Sequence, residues 1–218
     1  MTNQQRGLFI TLEGGEGSGK STVTKQLVAL VEAEGRSVTL TEEPGGTELG
    51  RHFWTYLRSG AEPLTPLAEL MLFEAARTQH VERIIRPALD AGRVVICDRF
   101  TDSSVAYQGH GRGLSIDLIE SLNATATGGL RPDLTLLLDV PIEVGLQRAR
   151  SLESGESASK ERDSIGSETT VFHQRVRDGF LAIARSDRQR VALIDAQAPP
   201  DVVVKACWSW VSGKLRGP

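Results

Sequence analysis

Five short apolar runs punctuate the chain, at residues 8–12, 38–41, 94–97, 134–139 and 191–194. Each is nearly continuous rather than alternating and rich in β-branched residues, the pattern of strands covered on both faces in a parallel sheet. Helical spacing fills much of the chain between them. The stretch from Lys20 to Glu34 carries apolar residues at helical intervals and halts at Gly35. Thr65 followed by Pro66 offers a side-chain cap and a residue already shaped for a first turn, so a long helix starts there, with Pro87 imposing a kink and Gly92 a stop. After Pro199 and Pro200 a last helix sets Val203, Cys207, Trp210 and Val211 on one face. This alternation predicts an α/β fold of three layers, a five-stranded parallel sheet flanked by helices and joined by right-handed crossovers.

One segment departs from the pattern. Residues 151–170 read SLESGESASKERDSIGSETT, rich in Ser, Gly and charge, with no apolar stripe. Such a stretch is either a disordered insertion or a mobile lid over a site. No repeat and no second domain is visible, so the chain reads as one domain over residues 1–218.

Composition narrows the class. A chain of 218 residues with 39% hydrophobic and 24% charged residues buries a core without staples, and neither wholesale disorder nor a fibrous repeat fits. No apolar run approaches the roughly 18 residues of a membrane span. The N-terminal residues lack the apolar stretch of a signal peptide, which makes a cytoplasmic location the expectation. Cys97 and Cys207 are too few and too distant to form a scaffold or a metal site, and read as core thiols. The net charge of −3 supplies no global field for nucleic acid or an anionic membrane, so any phosphate binding is local. The basic residues are 20 Arg and 5 Lys, a ratio that genomic composition explains as well as phosphate recognition does.

A local phosphate site is present. Gly14-Gly15-Glu16-Gly17-Ser18-Gly19-Lys20-Ser21 matches G-x-x-x-x-G-K-[ST] between the first strand and the first helix, the context the motif requires. Glycines let the backbone curl so that successive N–H groups aim at phosphate oxygens, and the helix N-terminus adds its positive end. Lys20 brings a charge to the β and γ phosphates, Ser21 can ligate Mg²⁺, and Thr22 follows in the same first turn. A chance match in a chain of this length is on the order of one in a hundred. The guanine-reading Asn-Lys-x-Asp of GTPases is absent, and the one plausible Asp-x-x-Gly, Asp163 to Gly166, lies in the Ser-rich segment. Transporter and motor ATPases need further signature elements. A small-molecule kinase fits best.

The third strand ends Cys97-Asp98-Arg99-Phe100, at the edge where ligands of parallel sheets bind. Asp98 can hold Mg²⁺ directly or through water, and Arg99 can fork onto a phosphate. The run Asp98-Arg99-Phe100-Thr101-Asp102-Ser103-Ser104-Val105-Ala106-Tyr107-Gln108-Gly109 closely resembles the signature of the thymidylate kinases. Glu43-Pro44-Gly45-Gly46-Thr47, then Leu57-Arg58, then Phe73-Glu74-Ala75-Ala76-Arg77 and Gly109-His110-Gly111-Arg112-Gly113 resemble that family's other motifs, in order. The resemblance implies a P-loop nucleoside monophosphate kinase fold and transfer of the γ-phosphoryl group of ATP, as its Mg²⁺ complex, to dTMP. It also implies a homodimer, for which the exposed side of the helix from Thr65 to Arg86 is available.

Roles follow from the same resemblance. Phe73 would stack the pyrimidine and Arg77, four residues on and so on the same helix face, would donate to a base carbonyl. Ser104 and Gln108 would meet the polar edge of the base, and Tyr107 would crowd the 2′ position of the sugar. Glu16 would face the acceptor's 3′-hydroxyl, and Arg99 with Arg58 would hold its phosphate. Phosphoryl transfer needs positioning and neutralised charge more than a strong base. The family places a catalytic arginine in the P-loop or in the lid. Here the P-loop has Gly17 and Ser18 instead, so the charge is expected from a lid at about residues 148–170, from Arg148, Arg150, Lys160 or Arg162. The lid motif matches loosely, as Glu161-Arg162-Asp163-Ser164-Ile165-Gly166, and Glu42 stands where the family usually has Arg. Two rivals stay open from sequence: a kinase of UMP, CMP or dUMP, and a catalytically silent nucleotide binder.

Overall fold

The structure is a computed structural model and describes residues 6–59, 62–153 and 168–216. Five strands form one parallel sheet: β1 (Phe9–Glu13), β2 (Val38–Glu42), β3 (Val94–Asp98), β4 (Leu134–Asp139) and β5 (Val191–Asp195), in the spatial order β2-β3-β1-β4-β5. Register sets Leu12 beside Asp98, Glu42 beside Asp98 and Asp139 beside Asp195. Every strand therefore ends in a carboxylate residue on one edge of the sheet.

Helices cover both faces. On one, α1 (Lys20–Ala33) and α9 (Pro200–Arg216) pack Val23, Leu27, Val31, Val203, Cys207 and Val211 on Ile10, Leu12, Val94, Ile96, Leu134 and Leu136. The opposite pleat of β1 and β3 sends Phe9, Val95 and Cys97 against Val81, Ile85, Leu89 and Phe100. That second face is closed by α2 (Glu48–Ser59), α3 (Pro66–His80), α4 (Arg86–Asp90), α5 (Thr101–Ser104), α6 (Ile116–Thr127) and α8 (Thr170–Ser186), while α7 (Ile142–Glu153), which follows β4, packs Val144 against the first cluster and also meets α8. Phe53, Ala76, Tyr107, Leu137, Phe172, Val176 and Phe180 form its larger cluster. Both cysteines are buried free thiols, as expected.

Three details refine the sequence reading. Thr65 caps α3, its hydroxyl accepting from the Ala68 N–H, with Pro66 in the first turn. Pro87 is accommodated by a π-turn over Val81–Ile85, where the Arg86 N–H reaches back to the Val81 carbonyl, and the helix then runs on to Asp90. Trp210 is a correction: it is 44% exposed, whereas Val203, Cys207 and Val211 are buried. At 100° per residue the buried arc of α9 centres on Cys207 and Val211, and Val204 completes it while Trp210 falls at its margin. The segment expected as a lid falls largely on residues 154–167, outside the described residues, and Lys160 and Arg162 fall there with it.

Candidate active site

The carboxyl edge of the sheet opens into a cleft of about 440 Å³. Its lining joins the P-loop (Glu16 to Thr22), the ends of β2 and β3 (Glu42, Glu43, Asp98, Arg99), and an aromatic-walled recess of Trp54, Phe73 and Tyr107.

Backbone geometry builds the phosphate side. Gly14, Gly17 and Gly19 have φ of 141°, 63° and 91°, a region that side chains rarely tolerate. At Gly17 a Cβ would also stand 2.0 Å from the Gly145 carbonyl oxygen, so the loop lies directly against α7. The Lys20 ammonium donates to the Gly14 and Gly15 carbonyls at 3.0 and 3.1 Å and sits 3.4 Å from Ser18 Oγ. Burial, and then the neighbouring Arg99, lower its pKa from 10.5 to about 8, against the pull of Asp98, Glu16 and Glu13. Ser21 and Thr22 face the cleft in the first turn of α1.

Arg99 follows β3 with φ of 69°, a conformation that costs a non-glycine residue about 1–2 kcal/mol. Its N–H donates to the Leu12 carbonyl at 2.9 Å, and its own carbonyl accepts from Cys97 Sγ, so both neighbours hold the strained turn. The turn aims the guanidinium over the Tyr107 ring, 5.0 Å from its centroid, and 3.8 Å from Glu16. Burial pushes the Tyr107 phenol up to about 12, although Arg99 opposes this. Asp98 Oδ1 is buried with no hydrogen-bond partner among the described residues.

Phe73 packs edge-on against Phe53 at 4.9 Å, which fixes its ring at the wall of the recess. Arg77 is 1% exposed and heavily engaged. It donates to Glu43 at 2.9 Å, Glu74 and Asn123 at 2.6 Å, Ser104 Oγ at 3.0 Å and the Phe100 carbonyl at 3.2 Å. Glu43 is held from its other side by His80 Nδ1 at 3.2 Å, whose Nε2 lies 2.6 Å from Thr41 Oγ1. Gln108 donates to Glu69 at 2.8 Å.

The expected site residues thus divide. Glu16 through Thr22, Phe73, Arg77, Asp98, Arg99, Ser104, Tyr107 and Gln108 share one cleft, and Gly14 and Gly15 support Lys20 from behind it. Arg58, near the end of α2, is outside the lining. Arg148 lies one turn beyond Gly145 on α7 and donates to the Ala196 carbonyl at 2.8 Å; Arg150 is exposed, and neither lines the cleft. Glu42 lines it too. Sequence reasoning missed Glu13, Glu69, Asn123 and His80, buried polar groups behind the lining. Only Glu13 left a visible signal, a carboxylate ending an apolar strand beside the P-loop.

A glycine-rich loop at the start of a helix and an aromatic-walled recess, joined in one cleft at the end of a parallel sheet, is the arrangement of the P-loop nucleoside monophosphate kinases, and the fold and cleft put the chain in that class. The family model described as thymidylate kinase matches residues 12–207. The thymidylate kinase of Desulfovibrio desulfuricans is 50% identical over 214 residues, 96% of this chain and 97% of the relative. That of Deinococcus radiodurans is 45% identical over 207 residues, 95% of this chain and 97% of the relative. The crystal structure of thymidylate kinase from Ehrlichia chaffeensis superimposes with a TM-score of 0.76 at 34% identity, covering 95% of this chain and 99% of that one. The chain belongs to the thymidylate kinase family.

Proposed function

We propose that the cleft carries out its family's reaction with a division of labour between its two sides. The chain phosphorylates dTMP from ATP, giving dTDP and ADP. The single observation that carries the assignment of roles is the shared cleft: Lys20 and Arg99 line the same cleft as Phe73, Tyr107 and Gln108. Lys20 and the loop N–H groups of Gly14 to Ser21 hold the phosphates of ATP, with Thr22 in the same turn. Arg99, aimed by its strained backbone, holds the acceptor phosphate, and Glu16 beside it orients the 3′-hydroxyl side of the sugar. Phe73 stacks the base, Arg77, Ser104 and Gln108 meet its edge, and Tyr107 fills the space a 2′-hydroxyl would need.

The donor set suits Mg²⁺. Asp98 Oδ1 is a buried oxygen without a donor among the described residues, Ser21 faces the same cleft, and Mg²⁺ in nucleotide sites takes few protein ligands besides phosphates. Ser21 and Asp98 would hold it, and there it would neutralise charge on the phosphates. The proposal also assigns transition-state charge to α7 and the segment after it, through Arg148, Arg150 or Arg162, and acceptor-phosphate binding to Arg58. The contact of the P-loop with Gly145 supports the α7 assignment, since it brings that helix against the loop. Homodimer formation is part of the same reading, supported by exposed Leu67 and Met71 on α3 and Leu49 and Tyr56 on α2. So are a single working domain and a cytoplasmic setting; among the described residues no helix is long and apolar enough to cross a membrane.

ADP release with Mg-ATP against dTMP, dUMP, UMP, CMP and AMP, with Lys20→Ala as the control for contaminating kinases, tests the reading. Preference for dTMP that disappears in the Lys20 variant is the expected result. Turnover of another monophosphate in place of dTMP would overturn the base-pocket assignment, and ATP binding without turnover would leave a silent binder.

A further inference from the structure

Gln108 lines the cleft, yet its orientation is decided outside it. Gln108 and Glu69 are each 2% exposed, and Gln108 Nε2 donates to Glu69 Oε1 at 2.8 Å. Glu69, on α3, does not line the cleft. Its carboxylate is fixed in turn by Arg112, which donates from Nε to Oε1 at 3.3 Å and from Nη2 to Oε2 at 3.1 Å. Arg112 is itself placed by the Phe172 ring, 4.8 Å beneath its guanidinium, and by Glu168.

A carboxylate held by an arginine accepts hydrogen bonds and cannot donate them. The end of the Gln108 amide that faces Glu69 must therefore be the NH₂ group. The opposite end, Oε1, accepts no hydrogen bond among the described residues. Gln108 thus presents a carbonyl acceptor, with its second N–H alongside, to whatever base occupies the recess.

We propose that Glu69 is a specificity-determining positioning residue: by locking the Gln108 amide it makes the pocket select pyrimidines with a protonated N3 flanked by carbonyls, thymine and uracil, and reject cytosine. Cytosine offers a lone pair at N3, which would meet the Gln108 carbonyl oxygen head-on. Turning the amide over to suit cytosine would press that oxygen against the Glu69 carboxylate, exchanging a charge-assisted hydrogen bond for a repulsion. A site that leaves buried polar groups mispaired with the wrong ligand discriminates more strongly than one relying on shape.

The inference rests on the reading of the recess as the base pocket, and the test separates the two. Glu69→Gln keeps the shape but lets either end of the Gln108 amide face it. Its kcat/KM ratio for dTMP over dCMP falls by about tenfold or more, mainly through better use of dCMP, while KM for ATP stays within about twofold. Glu69→Asp, which retains the acceptor, keeps most of the preference. A merely structural role would lower both substrates together and leave the ratio unchanged, and that result overturns the proposal. Should the variants not fold, dTMP methylated at N3 probes the unaltered protein: it has lost the proton that Gln108 Oε1 accepts, and turnover equal to that of dTMP overturns the proposal equally. Gln108→Ala reports on the pocket itself. If it leaves KM for dTMP unchanged, the base-pocket reading fails; if it raises KM while Glu69→Gln leaves the ratio intact, only the role of Glu69 fails.

Discussion

Glu13 gives the most quantitative prediction. It ends β1 at 1% exposure, with Oε1 accepting from the Phe100 N–H at 2.8 Å and Oε2 paired with the Ser103 hydroxyl at 2.6 Å. Burial, and then the charge of Asp102, raise its carboxyl from 4.5 to about 8, only partly offset by Ser103, Arg99 and the Phe100 N–H. Folded protein therefore holds a proton on Glu13 at neutral pH that the unfolded chain has released. Between pH 4.5 and about 8 the folded state binds more protons, so this group's contribution to stability is complete below 4.5 and is lost as pH rises through about 8. At about 1.4 kcal/mol per pH unit that window sets a ceiling of about 5 kcal/mol. Reorientation of Arg99 and Asp102 around the carboxylate reduces the expected value to about 2–3 kcal/mol. Glu13→Gln copies the neutral form: its oxygen can accept from Phe100 and its NH₂ can donate to Ser103. Urea denaturation of both proteins from pH 5 to pH 9 reads the difference. The variant should match or trail the parent at pH 5 and gain on it steadily up to pH 8. Lys20, lowered from 10.5 to about 8 and itself facing Glu13, adds stability only as pH rises through its own higher window, so the comparison is read between pH 5 and pH 8, below that window. A difference that stays flat within about 0.5 kcal/mol from pH 5 to pH 8 would refute the neutral buried carboxyl.

Three other outcomes can be checked with standard assays. Arg77→Met leaves Glu43 and Glu74 buried without their cation and should cost about 3–5 kcal/mol, read as a lowered urea midpoint. Leu27→Ala, at a position fully buried between α1 and the sheet, should cost about 2–5 kcal/mol with little change in KM for either substrate. Phe73→Ala removes the aromatic wall proposed to stack the base, so KM for dTMP should rise by about tenfold or more while KM for ATP holds; an equal rise in both would mean that Phe73 supports the whole cleft rather than the base.

Much of the molecule is written locally. The strands are legible because an interior strand of a three-layer fold must be apolar on both faces, so residues 8–12 or 134–139 need no knowledge of their partners to be recognised. The P-loop is legible because its glycine spacing is a backbone requirement, and Thr65-Pro66 because a helix cap is satisfied within one turn. The place of Asp98 and Arg99 follows as well, since a charged pair directly after an apolar run must lie at a strand's end. Local periodicity fails at Trp210, where the width of the buried arc depends on how α9 sits on the sheet.

Tertiary structure alone decided the surroundings of the Glu13 carboxyl, the network around Arg77 and the orientation of Gln108. The partners in these cases are far apart in sequence: Glu69 and Gln108 are 39 residues apart, Arg77 and Glu43 are 34, and Glu13 and Ser103 are 90. Sequence supplies the side chains, but the energy of a buried charge or amide depends on which donor or acceptor stands within about 3 Å of it in low dielectric. That distance is set only when the helices dock on the sheet.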